Sequence, residues 1–288
     1  MKGLNEYGAL KCVAVRTPTA AFSSDEKIST EWQALRFHTE PNLSDAIIEH
    51  REFVRIIVNA GADVIELEAA AETTLDSIYT RDALLVSPLG LILCNMGRAS
   101  RNGEPTANAR RLKQAGFSIA GSIKAPGTIE GGDVIWLDDK TLAVGEGPRT
   151  NAEGIRQLSS LLGPAVEVHI VPLPAPDHPD DVFHLMSMIS PLDADLALIY
   201  RPLMPPEFLE WLAARGIQFI DVPDEEFMLM GCNVLALGPR HCVMLDRLPK
   251  TKKLMIQAGC RVQTYRGDEI SRKGEGGPTC LTRPLVRG

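Results

Sequence analysis

Cys280 and His184 are the two residues of this 288-residue chain best suited to covalent chemistry. Cys280 follows the stretch Gly274-Glu275-Gly276-Gly277-Pro278-Thr279. Glycines allow close backbone approach and unusual dihedrals, and Pro278 fixes one of them. Most cysteines pack as small apolar core residues, but such a residue needs no Gly-Gly-Pro approach, so this thiol is read as aimed into a cleft. His184 sits in Asp181-Val182-Phe183-His184-Leu185-Met186, at the start of an apolar run. Alone it would read as an ordinary core or surface histidine. Paired with an aimed thiol, it supplies the proton acceptor a nucleophile needs and the acid a leaving group needs. Glu130 precedes Gly131-Gly132 and a strand-like run. By itself it would be a solvated turn acid; beside an imidazole it can orient the ring and raise its basicity.

Other polar residues surround these three. Asp76, Arg81 and Asp82 alternate with Ile78, Ala83 and Leu84, which places charge at a strand end. Arg101 and Arg149 lie in Gly-containing turns. Arginines there are usually solvated, yet their forked geometry suits bidentate carboxylate binding. His178, Asp180, Asp181 and His184 crowd one Pro-containing segment and are sound metal donors. No HxxxH or HExxH pattern accompanies them. The expectation is therefore chemistry without a metal or other cofactor.

Something must bring these distant residues together. Five times a helix-like segment ends at a glycine and passes at once into a β-rich run, at Gly61, Gly116, Gly163, Gly216 and Gly259. Glycine is the usual residue just past a helix end, where a left-handed backbone costs it nothing. Ile47, Val54, Ile57 and Val58 fall on one helical face, as do Phe208, Trp211 and Leu212. Paired strand runs lie between these units: Ile78–Val86 with Leu91–Cys94, Val134–Leu137 with Thr141–Val144, and Asn233–Leu237 with His241–Leu245. Their turns carry Pro and Gly.

The repeated element reads strand, strand, helix, strand, about five times at spacings of roughly 45 to 55 residues. A doubly wound sheet would not need a hairpin before every helix. A single α/β domain over 1–288, a five-bladed α/β propeller whose axis collects polar loops, is expected. Three segments break the pattern. Residues 20–42 read as a surface loop or lid, Pro172–Val182 as a loop, and Arg272–Pro278 as irregular structure that delivers Cys280.

Bulk properties narrow the function. The formal net charge is −7, which offers no basic face to nucleic acid or anionic lipid but suits a small cationic substrate. No apolar run approaches the ~18 residues of a membrane span, and no leader-like segment opens the sequence. The six cysteines are scattered without a CxxC pair, which is neither a zinc framework nor a dense disulfide scaffold. A reducing cytoplasm is expected; a homodimer is compatible with all of this.

Four segments, in order, resemble the guanidino-group-modifying superfamily of α/β-propeller enzymes: Asp76–Asp82 (DSIYTRD), Glu130–Val134 (EGGDV), Phe183–Met186 (FHLM) and Gly276–Cys280 (GGPTC). The similarity covers most of the chain. Length and the GPRTN and SRNGE segments resemble the dimethylarginine dimethylaminohydrolase branch. That resemblance implies Cys280, His184 and Glu130 as the catalytic trio and Asp76 and Asp82 on the guanidinium. It implies Arg149 and Arg101 on the substrate carboxylate, with Glu275 contacting substrate or closing the loop. The implied reaction converts arginine or an N-methylated arginine to citrulline plus an amine through a covalent thiouronium. Arginine or agmatine deimination and amidino transfer are the alternatives. Three departures stand out. Arg81 replaces that branch's acid, Met186 replaces its usual Lys, and the Gly276–Leu285 ending is nearer to the deiminases.

Overall fold

The computed structural model describes residues 3–175 and 183–288, and these form five sheets of three strands each. β1 (Leu10–Val15) and β2 (Asp63–Glu66) run parallel. β3 (Leu84–Ser87), β4 (Gly90–Leu93) and β5 (Ile119–Ser122) form the next sheet, and β6 (Val134–Asp138), β7 (Thr141–Glu146) and β8 (Glu167–Pro172) the third. β9 (Ile189–Asp193), β10 (Leu196–Ile199) and β11 (Gln218–Asp221) form the fourth. β12 (Leu235–Gly238), β13 (His241–Leu245) and β14 (Arg261–Tyr265) form the fifth. β15 (Arg283–Arg287) then pairs antiparallel with β1, so the chain's last strand completes its first sheet and closes the ring. The architecture is the five-unit α/β propeller that the glycine punctuation predicts.

Each unit follows from local chemistry. The hairpins β3–β4, β6–β7, β9–β10 and β12–β13 turn through two residues each, Pro88-Leu89, Asp139-Lys140, Ala194-Asp195 and Pro239-Arg240. A two-residue link forces the antiparallel pairing seen there. The third strand of every sheet is parallel to the second, which requires a crossover. Helices Leu43–Asn59, Glu104–Gln114, Ala152–Leu162, Pro206–Ala214 and Pro249–Gln257 supply it. The five predicted glycines follow them with φ between 77° and 94°, and an added Cβ would meet nothing within 4 Å. Dihedral, not space, demands glycine at these positions.

Burial orders the strands radially. β3 and β12 are buried throughout, whereas β2 and β5 contain no fully buried residue. The leading strand of each unit (β15, β3, β6, β9 and β12) therefore lies toward the centre, and the third strand toward the rim. Continuous apolar runs suit the former.

Three readings are corrected. Ile78–Val86 is strand only from Leu84; Leu75–Ile78 is a 3-10 turn. The helix Leu43–Asn59 buries Ala46, Glu49, His50, Phe53 and Ile57, while Val58 stays exposed. Residues 20–42 contain a helix, Asp25–Glu31, capped by Ser24, and they bury Phe22, Ile28, Leu35 and Phe37. This segment is packed structure and not a polar loop. A capped helix of seven residues is too short for periodicity to reveal. Most of the Pro172–Val182 segment, with His178, Asp180 and Asp181, lies outside the described residues. Among the described residues no helix is long and apolar enough to cross a membrane.

Candidate active site

The segment just before each leading strand carries one chemically distinctive residue. Asp82 precedes β3, Glu130 β6, His184 β9, Asn233 β12 and Cys280 β15. Sequence separations as large as 198 residues, between Asp82 and Cys280, thus collapse onto one end of the ring.

His184 Nε2 lies 2.8 Å from Glu130 Oε2, and its Nδ1 lies 4.0 Å from Asp82 Oδ1. All three side chains are buried. Burial alone would lower the His184 pKa. Asp82, Asp133 and Glu130 outweigh it and raise the value to about 9. Burial likewise opposes charge on Glu130, but the His184 hydrogen bond and charge, with Arg149 and Arg101, hold that carboxyl low, at about 2. The pair is an imidazolium–carboxylate ion pair at neutral pH. Asp133 supports it from below: its Oδ1 accepts from the Leu185 N–H at 2.9 Å and its Oδ2 from Thr150 Oγ1 at 2.6 Å. Gly132 is required by proximity. A Cβ there would stand 2.7 Å from His184 Nδ1 and 2.9 Å from Asp82 Oδ1.

Cys280 is half-buried. The Asn233 amide donates to its sulfur at 3.2 Å, and the Arg81 N–H donates to its carbonyl at 3.2 Å. Burial first, then the Asp82 charge, push the thiol pKa up; the Asn233 hydrogen bond and Arg81 pull the other way. Asp82 therefore influences both the thiol and the imidazole. The glycines before Cys280 let the loop lie against Tyr79 and Asn233. A Cβ on Gly276 would fall 2.1 Å from the Tyr79 ring, and one on Gly277 would fall 2.5 Å from the Asn233 amide.

The remaining predicted residues divide. Asp76 is buried; burial pushes its carboxyl pKa up, partly offset by Arg101, Arg98 and Arg149. Its Oδ2 pairs with Arg98 Nη1 at 3.0 Å. Arg149 faces Glu130 over long contacts of 3.3 and 3.5 Å. Arg101 does not stand free for a substrate carboxylate. Its guanidinium donates to both Glu104 oxygens at 2.8 and 2.9 Å, to Asp82 Oδ2 at 2.5 Å and to the Tyr79 carbonyl at 2.7 Å. Glu275 is half-exposed and bonds His38 at 2.9 Å, outside the buried cluster. Arg98, Asn233 and Asp133 belong to the site and escape the sequence reading. Asp133 lies within a quoted motif but beside a stronger candidate, and the other two carry no motif.

Asp82, Glu130 and His184 also present ligand atoms within 4.8 Å of one another. A metal ion held by all three would have to replace the proton that joins His184 to Glu130, so the set does not fit a metal while that pair stands. Arg81 and Met186, two departures from the branch pattern, both point away from this cluster. They line a small axial hollow with Glu6, and Arg81 Nη1 pairs with Glu6 Oε2 at 3.0 Å.

The ring and the site at its centre define the class of guanidino-group-modifying α/β-propeller enzymes. The family model for N,N dimethylarginine dimethylhydrolase, eukaryotic, matches residues 17–287, and the chain belongs to that family of hydrolases. A relative named N(G),N(G)-dimethylarginine dimethylaminohydrolase, from Streptomyces coelicolor, is 27% identical over 265 residues, covering 87% of this chain and 95% of its own. Among solved structures, the Pseudomonas aeruginosa dimethylarginine dimethylaminohydrolase, a cysteine-to-serine mutant complexed with citrulline, matches with TM-score 0.77 and 24% identity. That match covers 97% of this chain and all of the other. An amidinotransferase of saxitoxin biosynthesis from Microseira wollei matches with TM-score 0.79 at 18% identity over 99% of this chain and 97% of its own. These likenesses establish the fold.

Proposed function

We propose that this chain hydrolyses a C–N bond of arginine or an N-methylated arginine, giving citrulline and an amine, through a covalent adduct on Cys280. One observation carries the reading: the buried His184 ring is held by Glu130 at 2.8 Å with Asp82 at 4.0 Å, and the half-buried Cys280 thiol shares Asp82 as a charged neighbour. That is an acid and a nucleophile sharing one carboxylate.

A guanidinium carbon is resonance-stabilised and its amines leave poorly. Asp82 and Asp76 grip the cation, each charge-assisted contact running about twice a neutral hydrogen bond. Arg149, joined by Arg98, takes the substrate carboxylate. In the resting site the thiol is neutral, because burial and Asp82 raise its pKa. The arriving cation offsets Asp82 and favours the thiolate. The sulfur attacks the guanidinium carbon to form a tetrahedral adduct. His184, already protonated, gives its proton to the departing amine, and the C–N bond breaks to leave a thiouronium on Cys280. Neutral His184 then takes a proton from water as the oxygen adds to that carbon. Collapse releases the thiolate and the urea-type product. Glu130 fixes the ring and stabilises its charge throughout. The chain supplies every group in this sequence. A reducing cytoplasm suits a nucleophile that must stay a thiol.

The segment Thr80-Arg81-Asp82 resembles the deiminases, but the Arg81 side chain turns to the axis and so bears little on the leaving amine. Incubating the protein with arginine, monomethylarginine, asymmetric dimethylarginine and agmatine, and quantifying citrulline, ammonia, methylamine and dimethylamine, tests the reading. Citrulline with dimethylamine supports it. Ammonia from arginine alone would transfer the assignment to a deiminase. Turnover only with an added amine acceptor would mean amidino transfer.

A further inference from the structure

We propose that the propeller axis, around Glu6, holds a binding site for a small monovalent inorganic anion of the halide class. The site is built by Arg81, Arg283 and Arg287. All three side chains are at most 6% exposed, and the one carboxylate among them, Glu6, is 7% exposed. Arg81 Nη1 pairs with Glu6 Oε2 at 3.0 Å, while Arg283 Nη2 reaches Glu6 Oε1 only at 4.0 Å. The other contacts are to neutral carbonyls. Arg81 Nε donates to Thr279 O, Arg283 Nη1 to Arg81 O and Leu84 O, and Arg287 Nη1 to Gly8 O and Ala236 O. Carbonyls satisfy hydrogens without cancelling charge. Three guanidiniums therefore face one carboxylate in a region withdrawn from water, where uncompensated like charge is costly.

A second observation points to a guest. Arg81 Nη2, Arg283 Nε, Arg287 Nε and Arg287 Nη2 are buried and have no hydrogen-bond partner. Guanidinium donors rarely go unmatched in an interior. Two small hollows lie against these groups. Arg283, Arg287 and Glu6 wall one, and Arg81 and Glu6 the other. The hollow at Arg283 and Arg287 is the roomier and takes about one small guest, which suits a halide and excludes a phosphate or an organic acid, while the one at Arg81 is barely water-sized. Burial and the Arg81 charge press the Arg283 pKa down to about 9 and the Arg287 pKa down to about 10, the direction that a missing counter-charge produces. The site does not rest on the reaction proposed for Cys280: none of its side chains is given a contact with substrate there, although the Arg81 charge also acts on the thiol.

The test compares thermal unfolding of the full chain in sodium chloride, bromide and gluconate at constant ionic strength. Chloride and bromide should raise the melting temperature saturably by a few degrees, while gluconate, too large to enter, should not. Arg287→Met should abolish the difference. Glu6→Gln, which removes the competing carboxylate, should tighten halide binding on the order of tenfold. Because Arg287→Met disturbs buried carbonyl contacts and can fail to fold, crystals of the unaltered chain grown in bromide give an independent readout. Anomalous density bounded by Arg81, Arg283 and Arg287 is the expected result. Equal melting temperatures in chloride and gluconate, a halide effect retained in Arg287→Met, or an axis without anomalous density would overturn the site and assign the hollows to water.

Discussion

At the residue scale, the account rests on charge states that burial alone would not produce. His184 is driven up to about 9 against its own desolvation, because Asp82, Asp133 and Glu130 surround it. Replacing Glu130 with Gln should lower the His184 midpoint by more than about one unit and reduce kcat on the order of 10²-fold. NMR titration of the ring and steady-state kinetics check both. The sign of the linked stability follows. A histidine with a raised folded pKa contributes fully below its unfolded value near 6.5, and that contribution fades as pH rises through about 9. The melting-temperature gap between the unaltered chain and His184→Gln should therefore be widest near pH 6 and narrow toward pH 9.5. A gap that widens with pH would contradict the ion pair. The grouping was legible in part: Cys280, His184, Glu130, Asp76 and Asp82 stand in recognisable segments, and the structure draws Asp82, Glu130 and His184 into one cluster. Asn233 was not, because Gly231-Cys232-Asn233 looks like any approach to a strand. Arg101 misleads for another reason. An arginine three residues before Glu104 can look outward in sequence and still spend its guanidinium on that neighbour.

At the element scale, glycines do two different jobs, and substitution should separate them. Gly116 has φ 91° with open space around its Cβ position. Gly116→Ala should cost about 1–2 kcal/mol of stability, the strain of a left-handed residue bearing a Cβ, and leave kcat near normal. Gly132 has an ordinary φ but abuts His184 and Asp82. Gly132→Ala should depress kcat far more than its melting temperature, because the added carbon must push one of those two groups aside. Denaturant unfolding with parallel kinetics distinguishes these outcomes; equal loss of activity in both variants would refute the division. The helix-ending glycines were readable because their demand is local. The 3-10 turn Leu75–Ile78 and the helix Asp25–Glu31 were not, since tertiary packing of Ile78, Phe22 and Ile28 decides them.

At the scale of the whole molecule, the nucleophile hangs on the ring's closure. Cys280 lies three residues before β15, and β15 is both the partner of β1 and the source of Arg283 and Arg287, which bond carbonyls at Leu84 and Ala236 in two other units. Ending the chain at Thr282 should abolish activity and cooperative unfolding together, as calorimetry and assay would show, although Cys280 is retained. Fivefold repetition was legible because each unit carries its own punctuation. Closure into a ring follows from that repetition, but the strands that make it, β1 and β15, were not legible, because a pairing between residues some 270 positions apart leaves no local pattern.

Selective alkylation tests the central claim most directly. Treating the protein with a haloacetamidine, with and without an arginine analogue, and mapping the modified peptide by mass spectrometry asks whether a cation-shaped electrophile finds Cys280. The account predicts a single label on Cys280, suppressed by the analogue and slowed in Asp82→Asn. Label spread over Cys12 and the other thiols, or undiminished by the analogue, would contradict it.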